Sequence, residues 1–168
     1  TAYEITYGDW SSDVCSSDLS FFTHDQLAML ADFIGVRGGG LLQLGGRRAF
    51  SEGGYAGTPL AEAVPVVLEG PAVPDSLTFF ADLKPALTPA GVGHAVTQIG
   101  VGTLSAADKW KALPAVTTVN RVRKVKPGAV VLIDGTVPAG GRAGVPGETL
   151  TSYTQPILAY QRFGRGLA

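Results

Sequence analysis

The strongest periodicity in the chain lies just after residue 20. Leu27, Leu30, Ala31 and Ile34 fall at i, i+3, i+4 and i+7, the single apolar stripe of an amphipathic helix. Thr23 and Gln26 have capping-box spacing and Phe22 and Leu27 occupy the staple positions, so the helix is predicted to begin at His24. Gly35 is expected to supply its left-handed cap. Three glycines, Gly38, Gly39 and Gly40, then lead into Leu-Leu-Gln-Leu at 41–44, a short apolar run expected to be a central buried strand ended by Gly45 and Gly46. A helix followed by a buried strand suggests parallel pairing.

Further along, residues 47–57 carry Gly53, Gly54 and Gly57 and read as an ordered surface loop. Thr58 as N-cap with Pro59 at the first helical position opens a short helix through Ala63, and residues 65–68 resemble a strand. Pro71, Pro74, Pro85 and Pro89 break 69–102 into pieces with no clear period. Ser105 and Asp108 bracket a helix at 106–112 that carries Trp110 and stops before Pro114. Residues 116–126 alternate poorly but are rich in Val and Thr. Pro127-Gly128 then turns the chain into 129–133, the best buried strand, and 155–161 supplies a last one. Before the first helix, residues 3–7 have the alternation of a short strand. With no repeat and no charged linker, residues 20–168 are expected to form a single domain.

Composition narrows the class. The 168 residues, 45% hydrophobic and 16% charged, exclude disorder and a coiled coil, and Gly 23 with Pro 11 suits a loop-rich α/β domain. A net charge of −1 provides no field for nucleic acid or an anionic membrane. The longest apolar runs are too short to cross a bilayer, and the start lacks the layout of a signal peptide. The chain opens on Thr1 and its only methionine is Met29, so it is expected to be a piece of a longer product. One segment differs from the rest: residues 8–19, rich in Ser and Asp, have no period, and 9–19 match one reading frame of a widely used short-read sequencing adapter. They are read as foreign to the gene. Setting them aside removes Asp9, Asp13 and Asp18 and leaves thirteen basic against eleven acidic side chains. It also removes Cys15, the only thiol, and with it any disulfide, thiolate metal site or cysteine nucleophile.

Candidate chemistry is sparse. His24 and His94 have no second ligand at a metal spacing, so each reads as a structural or solvated residue and no metal or cofactor is assigned. The glycines at 38–46 precede a strand, whereas phosphate cradling needs them between strand and helix, and no P-loop or serine elbow occurs. By position, ligands in open α/β sheets settle beyond the carboxyl ends of strands, here 45–55 and 134–136. Gly45 and Gly46 would admit a ligand to the backbone, Arg47, Arg48 and Tyr55 would bind an anion or a ring, and Asp134 would face the same crevice. The plainer account is a glycine turn with solvated arginines, and a turn at Asp134-Gly135. Arg121, Arg123, Lys124 and Lys126 form a basic cluster suited to an acidic partner, and the plainer account is a solvated edge strand that needs none.

An ordered set of short motifs carries a resemblance across 20–166. They are Gly-Gly-Gly-Leu-Leu-Gln-Leu-Gly-Gly at 38–46, Phe50, Gly53-Gly54-Tyr55, Thr-Pro-Leu at 58–60, Leu-Thr-Pro-Ala-Gly at 87–91 with His94, Trp110 with Leu113-Pro114, Lys-Pro-Gly-Ala at 126–129, Gln155-Pro156, and Phe-Gly-Arg-Gly at 163–166. The chain resembles the glutamine amidotransferase domain of large bacterial membrane proteins that often carry a von Willebrand factor A domain. The resemblance implies a flavodoxin-like three-layer α/β sandwich with a mostly parallel sheet, here truncated at both ends, with 3–7 as the remnant of a first strand. Active members of that class resemble one another in an elbow cysteine activated by a histidine that a carboxylate orients. Here the elbow position holds Gly45-Gly46 and no histidine follows His94. No catalytic residue is therefore assigned. The expectation is a silent domain that binds or scaffolds other domains of its membrane-anchored parent, with no nucleic acid partner and no insertion of its own. The rival is an enzyme of non-thiol chemistry using Arg47, Tyr55 or Asp134.

Overall fold

The computed structural model describes residues 19–46, 49–68, 80–100, 102–116, 120–122, 124–145, 148–150 and 152–168. The strand pattern at 3–7, most of the 8–19 segment, and Arg47, Arg48 and Arg123 lie outside them.

Helix α1, His24–Gly35, starts where its capping box places it: the Gln26 N–H donates to Thr23 Oγ1 (3.3 Å) and the Thr23 N–H to Gln26 Oε1 (2.9 Å). Leu27, Ala31 and Ile34 are its buried face, and Leu27 and Ile34 join Tyr55, Leu60, Ala63 and Leu19 in one cluster of the core. Full burial of Leu27 and Ile34 contributes about 1.5–3 kcal/mol each. Leu19, the last residue of the segment read as foreign, is part of that packing. Gly35 is not the left-handed cap: Val36 closes the helix in right-handed geometry with its N–H on Asp32 O (2.8 Å), and the positive φ falls at Gly38 (+80°).

The end of α1 is clasped by the C-terminal hairpin. Arg165 N–H donates to Gly35 O (2.8 Å), Leu167 N–H to Gly39 O (3.2 Å) and Leu41 N–H to Leu167 O (2.9 Å). The Phe-Gly-Arg-Gly motif exists for this approach: a Cβ on Gly166 would lie 2.3 Å from both Gly39 O and Ile34 O. Gly40 and Leu167 make a parallel bridge. Pairing stops there, and residues 41–44 are not the buried strand expected of them: Leu42 is 76% and Leu44 66% exposed. The hairpin strand beside them is two residues long, and among the described residues no other strand flanks them.

The described molecule mixes helix and strand, and its ladders are antiparallel. Lys84–Leu87 (β2), Val130–Thr136 (β3) and Thr154–Tyr160 (β6) form one three-stranded sheet in that order. Phe80–Ala81 (β1), Ala143–Val145 (β4) and Glu148–Leu150 (β5) form a second, and Arg162–Phe163 (β7) pairs with Gly166–Leu167 (β8). A parallel β3–β6 pair would need a helical crossover, whereas β4 and β5 occupy that connection. Asp134-Gly135 is not a turn. It sits inside β3, with Asp134 between Ala86 and Pro156 and Gly135 between Pro85 and Gln155. Here glycine serves packing, since a Cβ on Gly135 would meet Ile157 Cδ1 at 2.7 Å and Leu83 Cβ at 2.9 Å.

Short capped helices frame this sheet. Pro89–Val92 (α2) is capped by Thr88, whose hydroxyl also donates to Val131 O (2.6 Å) and so fixes the helix to β3. Ala106–Ala112 (α3) is capped by Ser105, and the Trp110 indole N–H donates to Thr97 O (2.8 Å). Lys84 donates from Nζ to Leu113 O beyond the helix, where a cation meets the negative end of the helix dipole. Thr58 and Pro59 open a 3-10 turn, Pro59–Glu62. The strand expected at 65–68 is reduced to a single antiparallel bridge, Val66 to Val125.

Candidate functional site

In the loop at 45–55, where a ligand is expected, the backbone of Gly46 is already engaged. The carboxamide of Asn120 lies against Gly46: the Gly46 N–H donates to Asn120 Oδ1 (2.9 Å), and Asn120 Nδ2 donates to Gly46 O (2.9 Å) and to Glu52 Oε2 (2.9 Å). Gly45 is glycine because that amide occupies the space; a Cβ there would be 2.9 Å from Asn120 Oδ1. Gln155 holds the other end of the connection, donating to Asn120 O (3.0 Å) while its Oε1 accepts from the Tyr153 hydroxyl (2.6 Å) and the Val122 N–H (3.3 Å). Burial pushes the Tyr153 phenol above its ordinary pKa, and the charge of Arg121 opposes that shift.

The remaining candidates separate. Tyr55 is 3% exposed and packs in the core beneath α1, so its ring is a wall of the fold and not a ligand contact. Phe50, 6.5 Å away ring to ring, takes a positive φ of 56° at the head of the loop. Asp134 belongs to the β2–β3–β6 sheet; burial raises its carboxyl pKa, and among the described residues no donor reaches it. Arg47 lies outside the described residues. The basic run is not simply solvated: Lys126 Nζ donates to Ala61 O (2.6 Å) and Glu62 O (3.0 Å). Burial lowers its pKa against the opposing charge of Glu62. His94 caps the 3-10 turn Ala95–Thr97 through Nδ1 and stacks near Tyr160 at 5.4 Å. Among the described residues no group of three or more His, Cys, Asp or Glu side chains could hold a metal.

Gly45, Gly46, Glu52, Asn120 and Gln155 thus form a latch that fixes the loop to the β6 side of the molecule. No sequence signal marks Asn120, whose partner Gly46 is 74 residues away. Asn120→Ala is expected to cost about 1–2 kcal/mol, because it leaves the half-buried Gly46 N–H without its partner and takes from Gly46 O one of its two donors, the Ala49 N–H being the other. Thermal denaturation reads the loss, and limited proteolysis should show new cleavage near 46–52. An unchanged melting point and digest would refute the latch.

A different surface is open. The outer side of α1 bears a groove of about 510 Å3, walled by Phe22, Met29, Leu30 and Phe33 and rimmed by Gln26, Asp32 and Arg37. Met29 is 70% and Phe33 49% exposed. A helix apolar on both faces is normally covered on both, and apolar side chains gathered on one exposed surface mark contact sites. The sequence held this signal in Met29 and Phe33, which the inward stripe leaves unused. Compared with known proteins, the chain matches no family model, no curated protein and no solved structure. No helix among the described residues is long and apolar enough to cross a membrane.

Proposed function

We propose that this chain is a catalytically silent glutamine amidotransferase-like domain that acts as a binding or scaffolding module of a larger, membrane-anchored bacterial protein. The observation that carries the binding role is the apolar outer face of α1, exposed beside a groove with a charged rim. Silence is supported by the elbow position: Gly45 and Gly46 offer no nucleophile, and the Gly46 N–H that an oxyanion would need is spent on Asn120. The three sheets of the described residues are antiparallel, so the flavodoxin-like sandwich is proposed only for the complete domain, with the parallel bridge from Gly40 to Leu167 as its local support. Other parts of the parent would complete the sheet beside residues 41–44, whose exposed leucines suit a covered edge. The rival enzyme loses support from two of its residues, since Tyr55 is core and Asp134 is mid-strand.

The test is direct. Glutamine supplied to the protein, with ammonia measured, should give no release above the buffer rate, both for this chain and for the same domain expressed without residues 8–19. Turnover by either would overturn the silent reading.

A further inference from the structure

We infer that the outer face of α1 is the seam of a parallel, two-fold helix pair between two copies of this chain. The inference rests on the binding-module reading and names the partner of that surface. Within the helix Gln26, Met29 and Phe33 follow one another at spacings of 3 and 4, and Phe22 and Val36 continue that spacing just outside its two ends. That is the alternation of core positions in a two-helix coil, and it falls on residues that face solvent rather than the domain core. Phe33 is held ready for the contact, because its ring lies over Gly39, where an added Cβ would be 2.2 Å away.

The flanking charges choose partner and direction. Asp25 and Asp32 lie on one side of the stripe and Leu30 on the other, with Arg37 following Leu30 in the turn that closes the helix, its N–H on Asp32 O (3.2 Å). In a parallel pair each flanking residue meets the opposite flank of its partner five residues on, so Asp32 of each copy meets Arg37 of the other, twice by symmetry. An antiparallel pair would bring the acidic flanks of the two copies together, which disfavours it. Gln26 also fits the parallel register: its Oε1 accepts from Thr23 within its own helix, and its Nε2 is left to meet the same amide across the two-fold axis. A polar core position of this kind specifies register at a cost in strength. With about one and a half heptads in contact, dissociation in the micromolar range or weaker is expected.

Sedimentation equilibrium of the full chain under reducing conditions, which keep Cys15 out of the result, tests this over a range of concentrations. The expected result is a reversible monomer–dimer equilibrium that Met29→Glu weakens at least tenfold while leaving the melting point of the dilute protein unchanged. Asp32→Arg and Arg37→Glu should each weaken dimerisation to a similar degree. Mixing those two single variants should restore it, because each mixed pair then carries opposite charges at both flanks. Wild-type monomer at every concentration overturns the inference, as does a dimer indifferent to Met29→Glu or a mixture no tighter than the single variants. Glutamine turnover would remove the silent-module reading without altering any of these sedimentation results, so the two can fail separately.

Discussion

Gly91→Ala is expected to destabilise the protein by about 3 kcal/mol, at the upper end of overpacking effects. The added methyl would sit 2.0 Å from the carbonyl oxygen of Leu132 and 3.0 Å from its carbon. Both are backbone of β3, the central strand of its sheet, so no side chain can swing aside to make room. Separating α2 from β3 would also stretch the bonds that join them: Thr88 N–H to Leu132 O (3.0 Å) and Thr88 Oγ1 to Val131 O (2.6 Å). The buried Thr97 hydroxyl, which donates to Gly91 O at 2.5 Å, would be displaced as well. In a chain of this size the loss corresponds to a fall in melting temperature of roughly 6–12 °C. Gly93→Ala is the internal control. Nothing lies within 4 Å of a Cβ there and its φ is −102°, so the change should be neutral or raise stability by about 0.5 kcal/mol. Equal melting points for the two variants would refute the packing described for α2.

What the sequence made legible was short-range. Thr23 with Gln26, Thr58 with Pro59 and Ser105 with Asp108 are caps whose partners lie within three residues, and all three open helical turns at the expected places. The apolar runs at 129–133 and 155–161 were legible as strands, yet strand character says nothing of direction, and both pair antiparallel in β3 and β6. The run at 41–44 had the composition of a buried strand and lacks the neighbours that would make it one. Between residues 80 and 92 the prolines hid the order. Pro85 is tolerated because β2 is an edge strand, and Pro89 stands at the first position of α2 behind the Thr88 cap. The candidate site failed for a related reason. Gly45 and Gly46 have the look of an opening for a ligand, but the space a glycine leaves is equally a place for another side chain, and Asn120, 74 residues from Gly46, fills it. Asp134-Gly135 has the composition of a turn, and only the crowding by Ile157 and Leu83 explains its glycine inside a strand.

The same long-range logic gives the other large effect, at Gln161. Its side-chain amide reaches across to the end of the Pro59–Glu62 turn and donates to three successive carbonyls, Glu62 O (3.0 Å), Ala63 O (2.7 Å) and Val64 O (3.0 Å). Lys126 supplies a second donor to Glu62 O, but among the described residues Ala63 O and Val64 O have Gln161 alone. Ala63 and Val64 are fully buried, so without the amide their carbonyls would face neither donor nor water. At about 1–3 kcal/mol for each orphaned group, Gln161→Met is expected to cost about 3 kcal/mol, although it preserves the volume of the side chain. Gln98→Met is the matched control: that amide also donates to backbone carbonyls, Val92 O and His94 O, but it is exposed, and its loss should stay within about 0.5 kcal/mol. Lys126→Met should be milder than Gln161→Met, because Glu62 O keeps the amide donor and the one carbonyl that loses Lys126 outright, Ala61 O, belongs to a partly exposed residue. Only the double variant strips Glu62 O of both, so its loss should exceed the sum of the single losses by about 0.5 kcal/mol or more. Chemical denaturation of the four variants measures all of this. Simple additivity, or a Gln161→Met cost no larger than that of Gln98→Met, would show that these carbonyls find water or other donors.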